Sequence, residues 1–490
     1  MNHEINTVGV WGHYHGKNLG DDIVVATILQ NLESRLPNAR FVGFSLDPED
    51  TSSRHQIQAY SIQVGMPSPV QPHAEGKALS GKKHPAFKSD LEVPGASSER
   101  SSEAEPTAES GPSEAEVEGK TGFGDEGLYE RLRRWIATTE ITPIKTFNNQ
   151  VSQALSGWRM RQSLSDVDML IVAGSGPFFD GWTGHGGHPT NLLRWSQFSR
   201  NTGTHFVPLC VGAGPIYEQI TRNYLRQTIE NSAYKSYRDP YSSRLMQDIG
   251  APGPYPVFPD LAFGLSPRAL TDARRDAPHI EGTVVGVSTM AFKDPRYTPR
   301  SDIDQYREYR DKLVSLVAWL LETDLTPVLL RSSRSDDRVA VDVVDGVREQ
   351  GVKTDRIILS PTRTYQDLLA QIAACDVVVG GRFHCHVLPF LLGVPVLGLA
   401  YHPKTSDMMA YMGQSDFCLD IDKSELSEIT RHLQTLIEER NQISAQIQPR
   451  VEVCREAVWM QYDALVNGQA GDLTGSYLPE HDRAPAVVAR

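Results

Sequence analysis

Along most of the chain, short runs of β-branched and apolar residues alternate with longer stretches whose apolar positions recur every three to four residues. A strand buried on both faces reads as a continuous apolar run, and a helix lying on it reads as an apolar stripe. The alternation therefore predicts parallel sheets covered by helices. In the first half, strands are expected near "TVGVW", "RFVGF", "DMLIVAG", "HFVPLCVG" and "PVFPDLAF", with helices over 23–36 and 190–199 between them. The second half restarts at "TVVGVST" and continues through "TPVLLRS", "RIILS", "DVVVGG" and "VPVLGLAY".

This order predicts an α/β fold of two Rossmann-like, doubly wound domains facing a cleft, the first over residues 1–265 and the second over 282–422. The Pro- and charge-rich stretch "SPRALTDARRDAPHIEG" reads as the linker between them. Between residues 66 and 122 the composition shifts to Pro, Gly, Ser, Glu and Ala, with Phe87 as the only aromatic. Such a segment buries too little apolar surface to offset its ordering entropy, so a disordered insertion is expected there. Residues 423–467 read as helices packing back across both domains, and 468–490 as a flexible tail. No internal repeat is evident.

Composition narrows the picture further. The 490 residues are 39% hydrophobic, ample for two cores, and carry a formal net charge of -13. A global attraction to nucleic acid is thereby excluded, and any anionic ligand must be held by local cations. The five cysteines are widely spaced and form no C-x-x-C pair, which fits a reducing, cytoplasmic setting. The chain opens without a basic segment leading into an apolar run, and no stretch approaches the roughly 18 to 20 apolar residues of a membrane span. A soluble protein is expected.

In open α/β sheets, ligands bind beyond the carboxyl ends of the strands. The loop "GHYHGKNLGDD" follows the first strand there, and Gly12, Gly16, Gly20 and Asn18 let its backbone approach a ligand closely. Asp21 or Asp22 is placed either to cap the next helix or to act in the cleft. The loop matches neither the dinucleotide fingerprint nor the Walker pattern. A second loop, "AGSGPFFDGWTGHGGHP", is rich in glycine, including Gly174 and Gly176, and its Phe178, Phe179 and Trp182 offer a stacking face for a sugar ring. Arg238 ends a short strand and either projects into the cleft or forms a surface salt bridge.

The most informative stretch is "GGRFHCHVLPFLLGVPVLGLAYHPK", residues 380–404, which sets four potential cations in a very apolar context. It reads as a loop over 380–384 followed by a helix and a strand. In an extended loop Arg382 and His384 point the same way, and the next strand delivers Tyr401, His402 and Lys404 to the same sheet edge. Together with the helix amino terminus they form a pocket for a compact, highly charged anion. Each charge-assisted hydrogen bond contributes about 1.5 to 3 kcal/mol, enough for three to offset partial burial. The close pairs His13/His15, His185/His188 and His384/His386 lack the companion ligands of a metal site, so no metal is expected. His386 reads as a packing residue.

The motifs "NLGDD", "AGSGPFFD", "SYRD", "FPDLAF" and, most specifically, R-x-H followed by a lysine after the next strand resemble the polysaccharide pyruvyl transferase family. The resemblance covers both domains outside residues 66–122. It implies a GT-B-like fold and transfer of a pyruvyl group from phosphoenolpyruvate to two sugar hydroxyls, forming a ketal and releasing phosphate. It further implies that Arg382, Gly381, Arg238 and Lys404 bind the donor, and that His384 is the general acid, with Lys404 and Arg238 assisting. Asn18, Asp21, Gly174, Gly176 and Trp182 would face the acceptor. No cofactor is implied beyond phosphoenolpyruvate as co-substrate. The implied partner is a saccharide or lipid-linked oligosaccharide, with peripheral association with polysaccharide assembly machinery. Two alternatives stand beside this reading. One is a GT-B glycosyltransferase using a nucleotide sugar, although no Glu lies between Arg382 and Ser424 to hold a donor ribose and Asp407 is the first carboxylate. The other is a catalytically inactive partner in polysaccharide assembly.

Overall fold

Ten short strands carry the fold: β1 (Thr7–Trp11), β2 (Arg40–Ser45), β3 (Gln58–Ser61), β4 (Met169–Val172), β5 (His205–Pro208), β6 (Val284–Ser288), β7 (Thr326–Leu330), β8 (Val377–Gly380), β9 (Val396–Ala400) and β10 (Cys418–Asp420). The structure, a computed structural model, describes residues 5–12, 18–62, 157–181, 184, 186–297 and 301–480. All of these belong to one compact unit. The expected insertion over 66–122 lies outside the described residues.

The strands form two five-stranded sheets, ordered β3-β2-β1-β4-β5 and β10-β9-β8-β6-β7. Every pairing is parallel. Strand order reverses direction between β1 and β4 in the amino-terminal lobe and between β6 and β8 in the carboxyl-terminal lobe. Loops that leave neighbouring strands in opposite directions open a crevice at such a point. "NLGDD" follows β1, the glycine-rich loop follows β4, and Gly381-Arg382-Phe383 follows β8, so the suspect loops stand at the two crevices.

Helices cover the sheets and start where the sequence supplies caps. Leu19–Arg35 is capped by Asn18, whose side chain accepts from Gly20 N–H. The helix thus begins a turn earlier than its apolar period suggested, and neither Asp21 nor Asp22 is its cap. Asp239 caps Pro240–Asp248, and Ser333 with Asp336 forms a capping box on Arg334–Glu349. His402 caps a helix, Pro403–Tyr411, that was not foreseen. Lys404 therefore sits in a first helical turn, not at a strand end.

Other differences have local causes. Prolines interrupt "PVFPDLAF", so Val257 makes only isolated bridges to Tyr237 and Ser476, and Asp260 caps the single turn Leu261–Gly264. "RIILS" likewise contributes one bridge, Ile358 to Val328. The polar edge strand β3 carried too little apolar signal to be seen. Within the expected linker, Ser266 caps the helix Pro267–Arg275, which buries Leu270 and Ala273 and leaves its charges outside.

The long helix Arg440–Val466 touches both lobes: Asp463 pairs with Arg35 at 2.6 Å, and Arg450 donates to the Tyr411 carbonyl at 2.9 Å. The tail expected to be flexible from residue 468 instead pairs Ser476 with Val257 and stacks Tyr477 on Phe258 at 4.3 Å. Among the described residues, no helix is long and apolar enough to cross a membrane.

Candidate active site

The crevices meet through backbone contacts. Leu19 N–H donates to the Ser332 carbonyl at 2.8 Å, and Asn18 forms an isolated antiparallel bridge with Ser333. The first turn of Leu19–Arg35 thus stands against the start of Arg334–Glu349 in the other lobe. Around this junction the side chains from distant loops gather.

Phe383, itself buried, forms a shared floor. The Arg238 guanidinium lies 4.8 Å from the Phe383 ring centre, and the Lys404 ammonium lies 5.7 Å from the same centre. Lys404 also stands 5.4 Å from the Tyr401 ring. Two cations from opposite lobes are held by one aromatic ring, an attraction that strengthens as water is excluded. Arg238 is only 6% exposed, and Gly212 makes room for it: a Cβ there would lie 2.7 Å from its Nε. Gly176 adjoins the same guanidinium, its Cβ position being 3.6 Å from Nη2.

His384 stands between the lobes. Its Nε2 is 3.6 Å from Asp260 Oδ1, and its Nδ1 would be 2.0 Å from a Cβ placed on Gly20. Only glycine fits at that position of "NLGDD". Asp260 is wholly buried, accepts from Ala262 N–H at 3.0 Å through Oδ1, and brings Oδ2 to 3.5 Å from Arg238 Nη1. Burial alone would raise the pKa of its carboxyl, but the nearby His384 and Arg238 charges and the Ala262 N–H outweigh that and hold it below the usual range.

Asp21 presents the opposite balance. Burial raises its carboxyl above the usual range, with Asp22 and Asp260 adding to the rise, while His384 and Arg238 offset only part. Its Oδ2 accepts from Asn18 Nδ2 at 2.8 Å. Asp22 is turned away, within 3.4 Å of Arg54 and 3.5 Å of His55. Tyr401 is half-buried, which would raise its hydroxyl, yet Lys404, Arg382 and Arg238 bring it below the usual range. Burial, then Lys404 and Arg238, pushes His402 down to about 3. His386 is fully buried, which pushes it down to about 4, and its Nδ1 lies 2.7 Å from the Arg382 carbonyl.

Arg382 differs from what its spacing suggested. Phe383 has helical dihedrals, φ -53 and ψ -47, so Arg382 and His384 do not project together. The Arg382 Nε and Nη2 instead grip Asp336 at 2.5 to 3.2 Å, and Nη2 also reaches Ser335 Oγ at 2.8 Å. Nη1 has no partner among the described residues. Gly381 sits against Tyr309 and Met290, and Gly174 against the Leu209 and Cys210 carbonyls. Trp182, His13, His15 and His185 lie outside the described residues.

The structure therefore brings together Asn18, Asp21, Gly176, Arg238, His384 and Lys404. Sequence reasoning missed Asp260, Asp336 and Phe383. The first two lie in motifs already singled out or in a capping pattern, where an aspartate reads as a helix cap. Among the described residues, no three His, Cys, Asp or Glu side chains gather as a metal site would require. The chemistry available is anion binding beside a histidine backed by a carboxylate.

Two parallel sheets facing a shared crevice define the class as GT-B-like. Two solved structures share this fold: a protein from Listeria monocytogenes designated a UDP-N-acetylglucosamine 2-epimerase, at TM-score 0.52 and 10% identity over 95% of this chain and 97% of that one, and the UDP-GlcNAc 2-epimerase from Neisseria meningitidis bound to UDP-GlcNAc, at 0.51 and 11% over 94% and 100%. No curated protein sequence matches the chain. The polysaccharide pyruvyl transferase family model matches residues 18–403. The chain belongs to the polysaccharide pyruvyl transferase family.

Proposed function

We propose that this chain transfers the enolpyruvyl group of phosphoenolpyruvate onto two hydroxyls of a saccharide, forming a cyclic pyruvate ketal and releasing phosphate. The observation that carries this reading is the convergence of Arg238, His384 and Lys404, from three separate segments, around Phe383.

Phosphoenolpyruvate places a phosphate and a carboxylate on three carbons, and it needs several positive groups within a few ångströms. Arg238 and Lys404 supply full charges. The amino-terminal ends of His384–Leu392 and Pro403–Tyr411 add the partial positive charge of their helix dipoles. Donor binding in this crevice draws both lobes onto one ligand.

His384 as imidazolium gives its proton to C3, turning the methylene into a methyl group as positive charge builds at C2. The first sugar hydroxyl attacks C2 and loses its proton to Asp21. Burial makes that carboxyl a stronger base than an exposed aspartate. The C2–O bond to phosphate then breaks, and the second hydroxyl attacks C2. Of the two protons lost by the hydroxyls, one replaces the His384 proton and the other leaves with phosphate as hydrogen phosphate. A positioned acid of this kind contributes about 10² to 10⁴ in rate.

The acceptor enters over Asn18, Asp21 and the glycine-rich loop after β4. A lipid-linked oligosaccharide would bring the chain into peripheral contact with polysaccharide assembly machinery. Purified protein incubated with phosphoenolpyruvate and a panel of saccharides is expected to release phosphate only when a saccharide is present. Turnover of a nucleotide sugar in place of phosphoenolpyruvate, or of neither, overturns the proposal.

A further inference from the structure

Two nitrogens in the site are buried without a hydrogen-bond partner: Nε2 of His384 and Nε of Arg238. Their side chains are 9% and 6% exposed, and these nitrogens do not reach bulk solvent. Both side chains close on one wholly buried carboxylate. Asp260 stands 3.6 Å from His384 through Oδ1 and 3.5 Å from Arg238 through Oδ2. A buried group with such neighbours is costly unless its charge is used.

We propose that Asp260 is a positioning residue: it fixes the His384 ring across the lobe interface with Nε2 inward, and holds Arg238 in register with it. This deepens the transferase reading above and rests on it for the chemistry served. With Nε2 turned to Asp260, Nδ1 is the nitrogen left facing the first turn of Leu19–Arg35, where Gly20 leaves space and Asp21 stands. The carboxylate also stabilises the imidazolium that must exist before proton transfer. Because Asp260 and His384 come from opposite lobes, the acid is aligned only when the lobes are apposed as they are here. Other groups facing His384 are Arg238 beside Asp260, Asp21 on the helix opposite and the Phe383 ring at 5.6 Å on its own segment.

Asp260→Asn separates this role from a merely structural one. Asparagine keeps an oxygen for Ala262 N–H, so the cap survives, while the charge is removed. Two readouts are expected to move. Turnover falls at least about a hundredfold while KM for phosphoenolpyruvate stays level or drops, because Arg238 loses a competing anion. The pH dependence of the His384 ring resonances changes, followed by nuclear magnetic resonance on protein with labelled histidine and compared with His384→Gln for assignment. An unmoved His384 titration in folded Asp260→Asn protein overturns the proposal, whatever the activity. Should the wild type fail to turn over phosphoenolpyruvate, the function falls, but the titration still decides whether Asp260 holds His384. If Asp260→Asn does not fold, Asp260→Glu provides the same titration with the charge kept but displaced, and an unmoved midpoint there is equally fatal.

Discussion

Two arginines stand at the crevice, one from each lobe, and their charges are used differently. Arg382 is clamped by Asp336 through bonds of 2.5 to 3.2 Å within its own lobe. Arg238 keeps its carboxylates at 3.5 and 3.7 Å and rests on an aromatic ring. A tight bidentate pair is already neutralised and mainly organises structure, whereas a loosely compensated cation retains attraction for an incoming anion. In the proposed reaction the donor's grip falls chiefly to Arg238 and Lys404, with Arg382 bracing the loop that carries His384.

The largest effect that tests this contrast is on stability. Arg382→Ala leaves Asp336 charged and buried, and is expected to cost about 3 kcal/mol in chemical denaturation. Adding Asp336→Ala should restore much of that loss. Arg238→Ala, in contrast, is expected to raise KM for phosphoenolpyruvate at least about tenfold with a smaller loss of stability. A larger KM effect from Arg382→Ala than from Arg238→Ala would reverse the assignment. His384→Ala lowers turnover at least about a hundredfold in a folded protein, and retained activity removes it as the acid.

Gly20→Ala carries the contrast into the lobe interface. The added methyl would lie 2.0 Å from His384 Nδ1, so the ring must move. Steady-state kinetics should show turnover reduced about tenfold or more, with KM for phosphoenolpyruvate little changed. Unaltered turnover would mean that the lobes sit differently in the working enzyme.

Some of this was legible in the sequence and some was not. The alternation of apolar runs and stripes exposed both sheets, because burial on two faces leaves its mark residue by residue. Edge strands such as β3, with "QAYS", carry no such mark. His384 and Lys404 stood out as cations in apolar surroundings, and Arg238 as a cation at a strand end. Their partners did not, because pairing is non-local: Asp336 lies 46 residues before Arg382, and the aspartate of "FPDLAF" lay in a stretch that read as a strand. The same geometry defeated the Arg382 and His384 spacing argument. Side chains two apart share a side in a strand but point to nearly opposite sides of a helix, and Phe383 is helical.

The smallest effect concerns pH. His386 is fully buried and titrates near 4, against 6.5 when unfolded. Between these values the unfolded chain binds the proton that the native state refuses, so stability falls as pH falls. Lowering the pH from 6.5 to about 5.5 should cost about 1 kcal/mol through this residue, an increment that His386→Gln removes from the urea midpoint.

The most direct test of the account is to run the reaction in deuterium oxide with phosphoenolpyruvate and an accepted saccharide, and to examine the pyruvyl methyl group of the product by mass spectrometry. Protonation of C3 by His384 predicts at least one solvent deuterium in that methyl group, with product formation nearly abolished in His384→Ala. A product that retains its methylene, or a methyl group free of deuterium, would contradict it.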